Sequence, residues 1–301
     1  MYFEGTKLQQ AFDNTSLSIF KDCPRKYQFS ILEGWRPKRK APPLLFGGAI
    51  HDVFEQFDKG IALGEDRETV LRRCMRLSFE LSGSGFGDDN RRTRLTLLRS
   101  LVWYADHYRN DQLKTFVFPN GRVGLEMSFS FELPFSPQGS NDHYYYSGHI
   151  DKLATYNGLL YVVERKHTTG TLGSQFFDRY TFSSQVSGYV FAGKVVFESP
   201  VQGAIIDATA VAVNSSSFGR SVVNRVGSHL EEWMQDLGYW IKQIEECVRE
   251  QHFPMNTESC SKYAGCQYRQ VCSKSKAVRE LELETAFHRE HWNPLRVRGE
   301  D

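Results

Sequence analysis

The chain has 301 residues, 40% of them hydrophobic, and a formal net charge of +1. That length supports a sizeable core in one large domain or two modest ones. The near-neutral balance excludes a global basic field, and the absence of any long apolar run excludes a membrane-spanning helix.

From the N-terminus, "MYFEGTKLQQ" shows no apolar signal core, so the expectation is a cytoplasmic protein without structural disulfides. "NTSLSIFKDCPRKYQFSILEGW" reads as a helix capped near Thr15 or Ser16, broken at Pro24 and resumed through Tyr27 and Ile31. Seven basic residues crowd Lys21 to Lys40, and "RRTR" follows at Arg91 to Arg94; clusters of this kind are most often solvated surface. A helix is expected from about Phe46, with Ile50, Phe54 and Phe57 on one face, then two more near 65–80 and 92–115. "VGLEMSFSFEL" alternates as a strand and "VQGAIIDATAVAV" reads as a buried strand. Residues near 176–195 and from Gly227 to about Glu250 read as helices. The whole predicts an α/β core preceded by a helical insertion.

The stretch "GHIDKLATYNGLLYVVERKH", Gly148 to His167, is the informative one. Asn157-Gly158 is the residue pair that a type I′ hairpin turn demands, because both central residues take φ > 0. A two-residue loop sets Tyr156 opposite Leu159, which puts Asp151 opposite Glu164 and His149 opposite Lys166. Period-two alternation gathers these four side chains on one face. Two facing carboxylates repel. A divalent cation offsets that repulsion, and Mg²⁺ is commonly held by one or two carboxylates together with phosphate oxygens. The bland alternative is a solvated hairpin face carrying a Lys–Glu pair.

Asp151, then Glu164 and Lys166 after twelve intervening residues, resemble the D…(D/E)xK core of the PD-(D/E)xK nucleases. "GGAIH", ending at His51, and "QVSGY", from Gln185 to Tyr189, resemble the further motifs of the RecB-like branch. "DCPRKY" and three C-terminal cysteines resemble its iron–sulfur members, which include the CRISPR-associated exonucleases, AddB-type nuclease domains and phage-encoded relatives. The resemblance implies a restriction-endonuclease-like fold, a central mixed sheet flanked by helices, with an inserted helical cap and an iron–sulfur clasp joining the two chain ends. It implies one nuclease domain over 1–301, subdivided at 1–45, 46–118 (cap), 119–252 (core) and 253–301 (clasp).

By the same resemblance, His51, Asp151, Glu164 and the backbone carbonyl of Arg165 would hold Mg²⁺ or Mn²⁺. Lys166 would position the attacking water, Gln185 and Tyr189 would touch DNA or brace the site, and Glu126 would stand in a supporting or metal-binding position. Bland readings stand beside these: a histidine after two glycines is often a core residue, and a lone helical tyrosine usually is one. Cys23, Cys260, Cys266 and Cys272 would hold a [4Fe–4S] cluster. Four thiolates also suit zinc, the C-x5-C-x5-C spacing departs from the best-known members at Cys260, and a site with no metal is the third possibility. Cys74 and Cys247 read as ordinary thiols. The implied activity is exonucleolytic cleavage of single-stranded DNA or DNA ends. The alternative is a DNA-binding or processing subunit of a larger assembly. No Walker-type motif is present, so a helicase or a CRISPR integrase complex is an expected partner.

Overall fold

The computed structural model describes residues 2–39, 41–83, 85–87, 89–196, 200–262 and 265–296. In chain order the elements are β1 (Ala11–Phe12), α1 (Asn14–Asp22), α2 (Pro24–Tyr27), β2 (Trp35–Pro37), α3 (Pro42–Ala62), α4 (Arg67–Leu81) and α5 (Arg94–His107). Then come β3 (Lys114–Thr115), β4 (Leu125–Glu132), β5 (Tyr145–Tyr156), β6 (Leu159–Thr168), α6 (Ser174–Asp178), α7 (Ser184–Val196), β7 (Val201–Val211) and β8 (Ser216–Asn224). The chain closes with α8 (Gly227–Arg249), α9 (Arg269–Ser273), α10 (Arg279–Ala286) and β9 (Phe287–Arg289).

Two compact units emerge. One is Met1–Arg39 with Ser130–Gly148 and Glu231–Asp301; the other is Lys40–Phe129 with His149–Leu230. In the first, α1 is capped by Asp13 rather than near Thr15 or Ser16. The Asp13 carboxylate accepts from the Ser16 N–H at 2.8 Å and the Ser16 hydroxyl accepts from the Asp13 N–H at 3.1 Å, a reciprocal cap. Pro24 opens α2, where a missing N–H costs nothing, so Cys23 falls at the junction of the two helices. β2 and β9 form a small antiparallel pair, and Phe29, Trp35, Tyr268 and Phe287 bury together beside it.

The second unit is a mixed sheet. β5–β6 and β7–β8 are antiparallel and β6–β7 is parallel, the crossover being α6 and α7. β8 was not foreseen: "SSFGRSVVN" is a half-exposed end strand, and its Ser and Gly residues blur the alternation. The helices α3, α4 and α5 bury Phe46, Ile50, Val53, Phe57, Leu97 and Leu101 against one another, as the apolar stripe of α3 required. Cys74 lies in this core and burial pushes its thiol up to about 11, the behaviour of an ordinary buried thiol. The expected helix over 92–115 stops at His107; Lys114–Thr115 pairs with β5 instead. The expected helix over 176–195 is two helices, because a hydrogen-bonded turn interrupts it at 179–183.

Candidate active site

Asn157 (φ 49°) and Gly158 (φ 77°) both lie in the left-handed region, as the turn requires. The expected register holds from Tyr156↔Leu159 to Lys152↔Val163. One residue further the strands are no longer laddered. There the Asp151 carboxylate accepts the backbone N–H of Arg165 at 2.7 Å. The hairpin therefore opens where its carboxylates stand, and Asp151 satisfies a donor that ladder pairing has left.

Glu164 and Lys166 form an ion pair on one face of β6. Glu164 is only 3% exposed. Burial, then the Asp151 carboxylate, push its carboxyl up to about 8. Burial works against the Lys166 ammonium, but the Glu164 and Asp151 charges outweigh it and hold its pKa above the usual lysine value. The Lys166 Nζ also donates to Gln185 Oε1 at 3.1 Å, and Gln185 Nε2 donates to the Tyr189 hydroxyl at 3.0 Å. Tyr189 is buried with its ring edge-on to Phe129 at 5.9 Å. Tyr189 thus holds Gln185, and Gln185 holds the lysine.

The opposite face of β6 carries Arg165 and His167, and α3 lies against it. Gly47, His51, Phe54 and Asp58 follow at spacings of four, three and four, so they share one face of α3. Gly47 is where the helix comes closest: a Cβ there would stand 2.5 Å from Cε1 of His167. One turn on, His51 Nδ1 lies 3.8 Å from Asp151 Oδ2. Phe54 faces the Arg165 guanidinium at 5.5 Å. Asp58, buried, accepts from Lys152 Nζ at 2.8 Å and pairs with Arg165. This triad was not foreseen. Its signal was present: a carboxylate on an apolar helix stripe, and two cations at strand positions that alternate away from Asp151 and Glu164. Burial alone would raise the Asp58 carboxyl, but its two cations hold it below the usual carboxylate range.

Ligand atoms of His51, Glu126 and Asp151 all lie within 4.8 Å of one another. Glu126, for which a supporting or metal-binding position is expected, is one of this group. It stands there on a strained backbone, φ 46° within β4, a conformation costing a non-glycine residue about 1–2 kcal/mol. Glu164, expected among the ligands, lies outside this group of three. Its Oε2 is nevertheless buried without a hydrogen-bond partner. An orphaned carboxylate oxygen beside three potential ligand atoms fits a cation: the ion would satisfy the oxygen and offset the burial and the repulsion that push the Glu164 carboxyl up. The backbone group of Arg165 seen here is its N–H on Asp151. Ser128 and His149, the neighbours two residues along from Glu126 and Asp151, bond to each other at 2.9 Å.

The four expected cysteines all fall in the other unit. All six thiols of the chain are free. The Cys23 Sγ accepts from the Asn256 N–H at 3.4 Å, and the Cys260 carbonyl accepts from the Cys266 N–H at 3.0 Å. Cys266 and Cys272 pack beside Phe29, Trp35 and Tyr268. Burial pushes both thiols up, and the nearby sulfurs of Cys23 and Cys260 (for Cys266) and of Cys266 and Cys23 (for Cys272) add to it. Among the described residues, however, these cysteines do not bring three ligand atoms within 4.8 Å of one another, as His51, Glu126 and Asp151 do.

A family model described as the PD-(D/E)XK nuclease superfamily matches residues 14–273. No curated protein matches the chain. Among solved structures, a candidate exonuclease from Eubacterium rectale aligns over 90% of this chain and 92% of its own, at 11% identity and a TM-score of 0.52. That likeness concerns the fold. A second solved structure, SSO0001, aligns over 90% and 89% at 13% identity with a TM-score of 0.38 and carries no argument.

Proposed function

Since the chain belongs to the PD-(D/E)XK nuclease superfamily, we propose that it is a Mg²⁺- or Mn²⁺-dependent deoxyribonuclease acting as an exonuclease on single-stranded DNA or DNA ends. One observation carries the reading: His51, Glu126 and Asp151 converge next to a buried, unsatisfied Glu164 oxygen and the Lys166 ammonium.

His51, Glu126 and Asp151 would hold the ion, and Glu164 would join them on losing its proton. When bound, a divalent cation supplies a water of lowered pKa and neutralises phosphate charge. The chain's own residues do the rest. Lys166, held by Glu164 on one side and Gln185 on the other, presents a fixed positive charge to a phosphate oxygen or to the attacking water, and pays little reorganisation as charge develops. Asp151 Oδ2, tied to the Arg165 N–H, is also the oxygen that stands 3.8 Å from His51 Nδ1, so one hydrogen bond sets how the carboxylate faces the histidine.

The deciding experiment incubates the protein with end-labelled single-stranded DNA, duplex DNA, RNA and a closed single-stranded circle, with Mg²⁺, Mn²⁺ or chelator. Metal-dependent shortening from ends with an intact circle is the expected result. Cutting of the circle adds endonuclease action. Binding without cutting under every metal makes the chain a processing subunit instead.

The reading extends to a [4Fe–4S] cluster on Cys23, Cys260, Cys266 and Cys272, to a cytoplasmic location where thiols stay reduced, and to a helicase or CRISPR integrase complex as partner. Protein purified without oxygen should be brown and contain iron. Cys23→Ser, Cys266→Ser and Cys272→Ser should bleach it, while Cys74→Ser should not. A colourless preparation with one zinc per chain would replace the cluster by zinc.

A further inference from the structure

The turn that separates α6 from α7 is built with care. The Tyr180 N–H donates to the Phe177 carbonyl, Thr181 to Asp178, and Ser183 to Tyr180, at 2.9, 3.0 and 3.1 Å. Arg225, buried, donates from its guanidinium to the carbonyls of Tyr180 and Ser183, each at 3.3 Å, while its Nε is fixed on the Ser187 hydroxyl at 2.8 Å. Arg179 stacks on Phe176 at 4.1 Å. Phe182, inside this stapled turn, is 93% exposed, more than any other large apolar side chain among the described residues.

Exposed apolar side chains are common singly. This one differs in two ways. Its backbone is locked from both ends, so the ring is displayed rather than left over. It also lies next to the catalytic lysine: Gln185, three residues on, accepts from Lys166 at 3.1 Å, and Tyr180, two residues back, is within range of the Lys166 and Glu164 charges.

We propose that Phe182 is a stacking platform for an unpaired nucleobase of the strand whose phosphate lies at Lys166. The proposal rests on the nuclease reading and deepens it, because it names the side chain that would recognise an unpaired base. A base inside a duplex is already covered on both faces, whereas an unpaired base at an end or in a single strand has a face to offer. Base–aromatic stacking is tolerant of sequence, since every base has a π-face. A turn that is already ordered loses little entropy when the base arrives. The structure thus favours single strands and frayed ends over intact duplex.

The test compares wild type, Phe182→Ala and Phe182→Trp for binding of an oligothymidylate strand and of an abasic strand of equal length and charge, with Ca²⁺ replacing the catalytic metal. Phe182→Ala should weaken oligothymidylate binding by about fivefold to a hundredfold, Phe182→Trp should retain it, and the abasic strand should bind all three alike. Unchanged oligothymidylate binding by Phe182→Ala overturns the platform while leaving the nuclease reading intact. An equal loss on the abasic strand overturns it too, since the base is then not what is recognised. Wild type that neither binds nor cuts any nucleic acid overturns both readings.

Discussion

Glu164 sets the chemistry of the site at the scale of one residue. Without metal its carboxyl is pushed up to about 8 from a usual 4.5, burial being the main cause and Asp151 the next. The folded chain therefore keeps a proton that the unfolded chain has released. Stability from this group is complete below about pH 4.5 and is lost as pH rises through about 8. A cation competes with that proton, so its affinity should climb with pH and level off above about 8. The thermal shift given by Mn²⁺ should be larger near pH 8 than near pH 6; an equal shift at both would remove Glu164 from the metal site. Glu164→Gln removes the buried acid and its repulsion toward Asp151. It should raise Tm in chelator, flatten its pH dependence, and abolish cleavage. A variant that cleaves normally would show that Glu164 is not required. Opposite signs for stability and activity are the mark of a group kept for function at a cost to the fold.

At the scale of the element, α3 decides where the imidazole of His51 stands. Its close approach needs Gly47, where a Cβ would meet the His167 ring at 2.5 Å, and its register is fixed by Asp58 on Lys152 and Arg165. Asp58→Ala strands two buried cations and should cost about 3–5 kcal/mol by chemical denaturation. Asp58→Asn, which retains an acceptor, should cost less. A loss below about 1 kcal/mol for Asp58→Ala would mean that the cations reach water. Gly47→Ala should destabilise by about 1–3 kcal/mol through overpacking and weaken Mn²⁺ binding in calorimetry, because His51 sits one turn from the obstruction; unaltered Mn²⁺ affinity would uncouple the helix from the site. Much of this element was legible. The hairpin register follows from Asn157-Gly158 and the alternation on either side, and the apolar stripe located α3. The sequence marks Asp58, Lys152 and Arg165 as misplaced charges but not as partners, and it does not show the turn at 179–183 at all, because each depends on residues distant in the chain: Lys152 and Arg165 for the first, Arg225 for the second. Local periodicity carries no information about such partners.

At the scale of the molecule, the two units differ in how the chain supplies them. The one holding His51, Asp151 and Lys166 uses Lys40–Phe129 and His149–Leu230, whereas the one holding the four cysteines needs Met1–Arg39, Ser130–Gly148 and Glu231–Asp301. The sequence resemblance linked Cys23 to the distant C-terminal trio, but the middle segment has no motif, and its place in the cysteine unit could not be read. Contacts far apart in the chain are slow to form. In pulsed hydrogen exchange during refolding, amides of β6 and β7 should be protected before those of α1 and α9; the reverse order would contradict the division. The same division sets a timetable at the ribosome. Every residue of the unit holding His51, Asp151 and Lys166 has been made once Leu230 emerges, while Cys23 is made long before Cys260, Cys266 and Cys272. The unit with the metal-competent residues can therefore pack while synthesis continues, whereas the unit that draws on three separated segments is completed only after Glu231–Asp301 has been made.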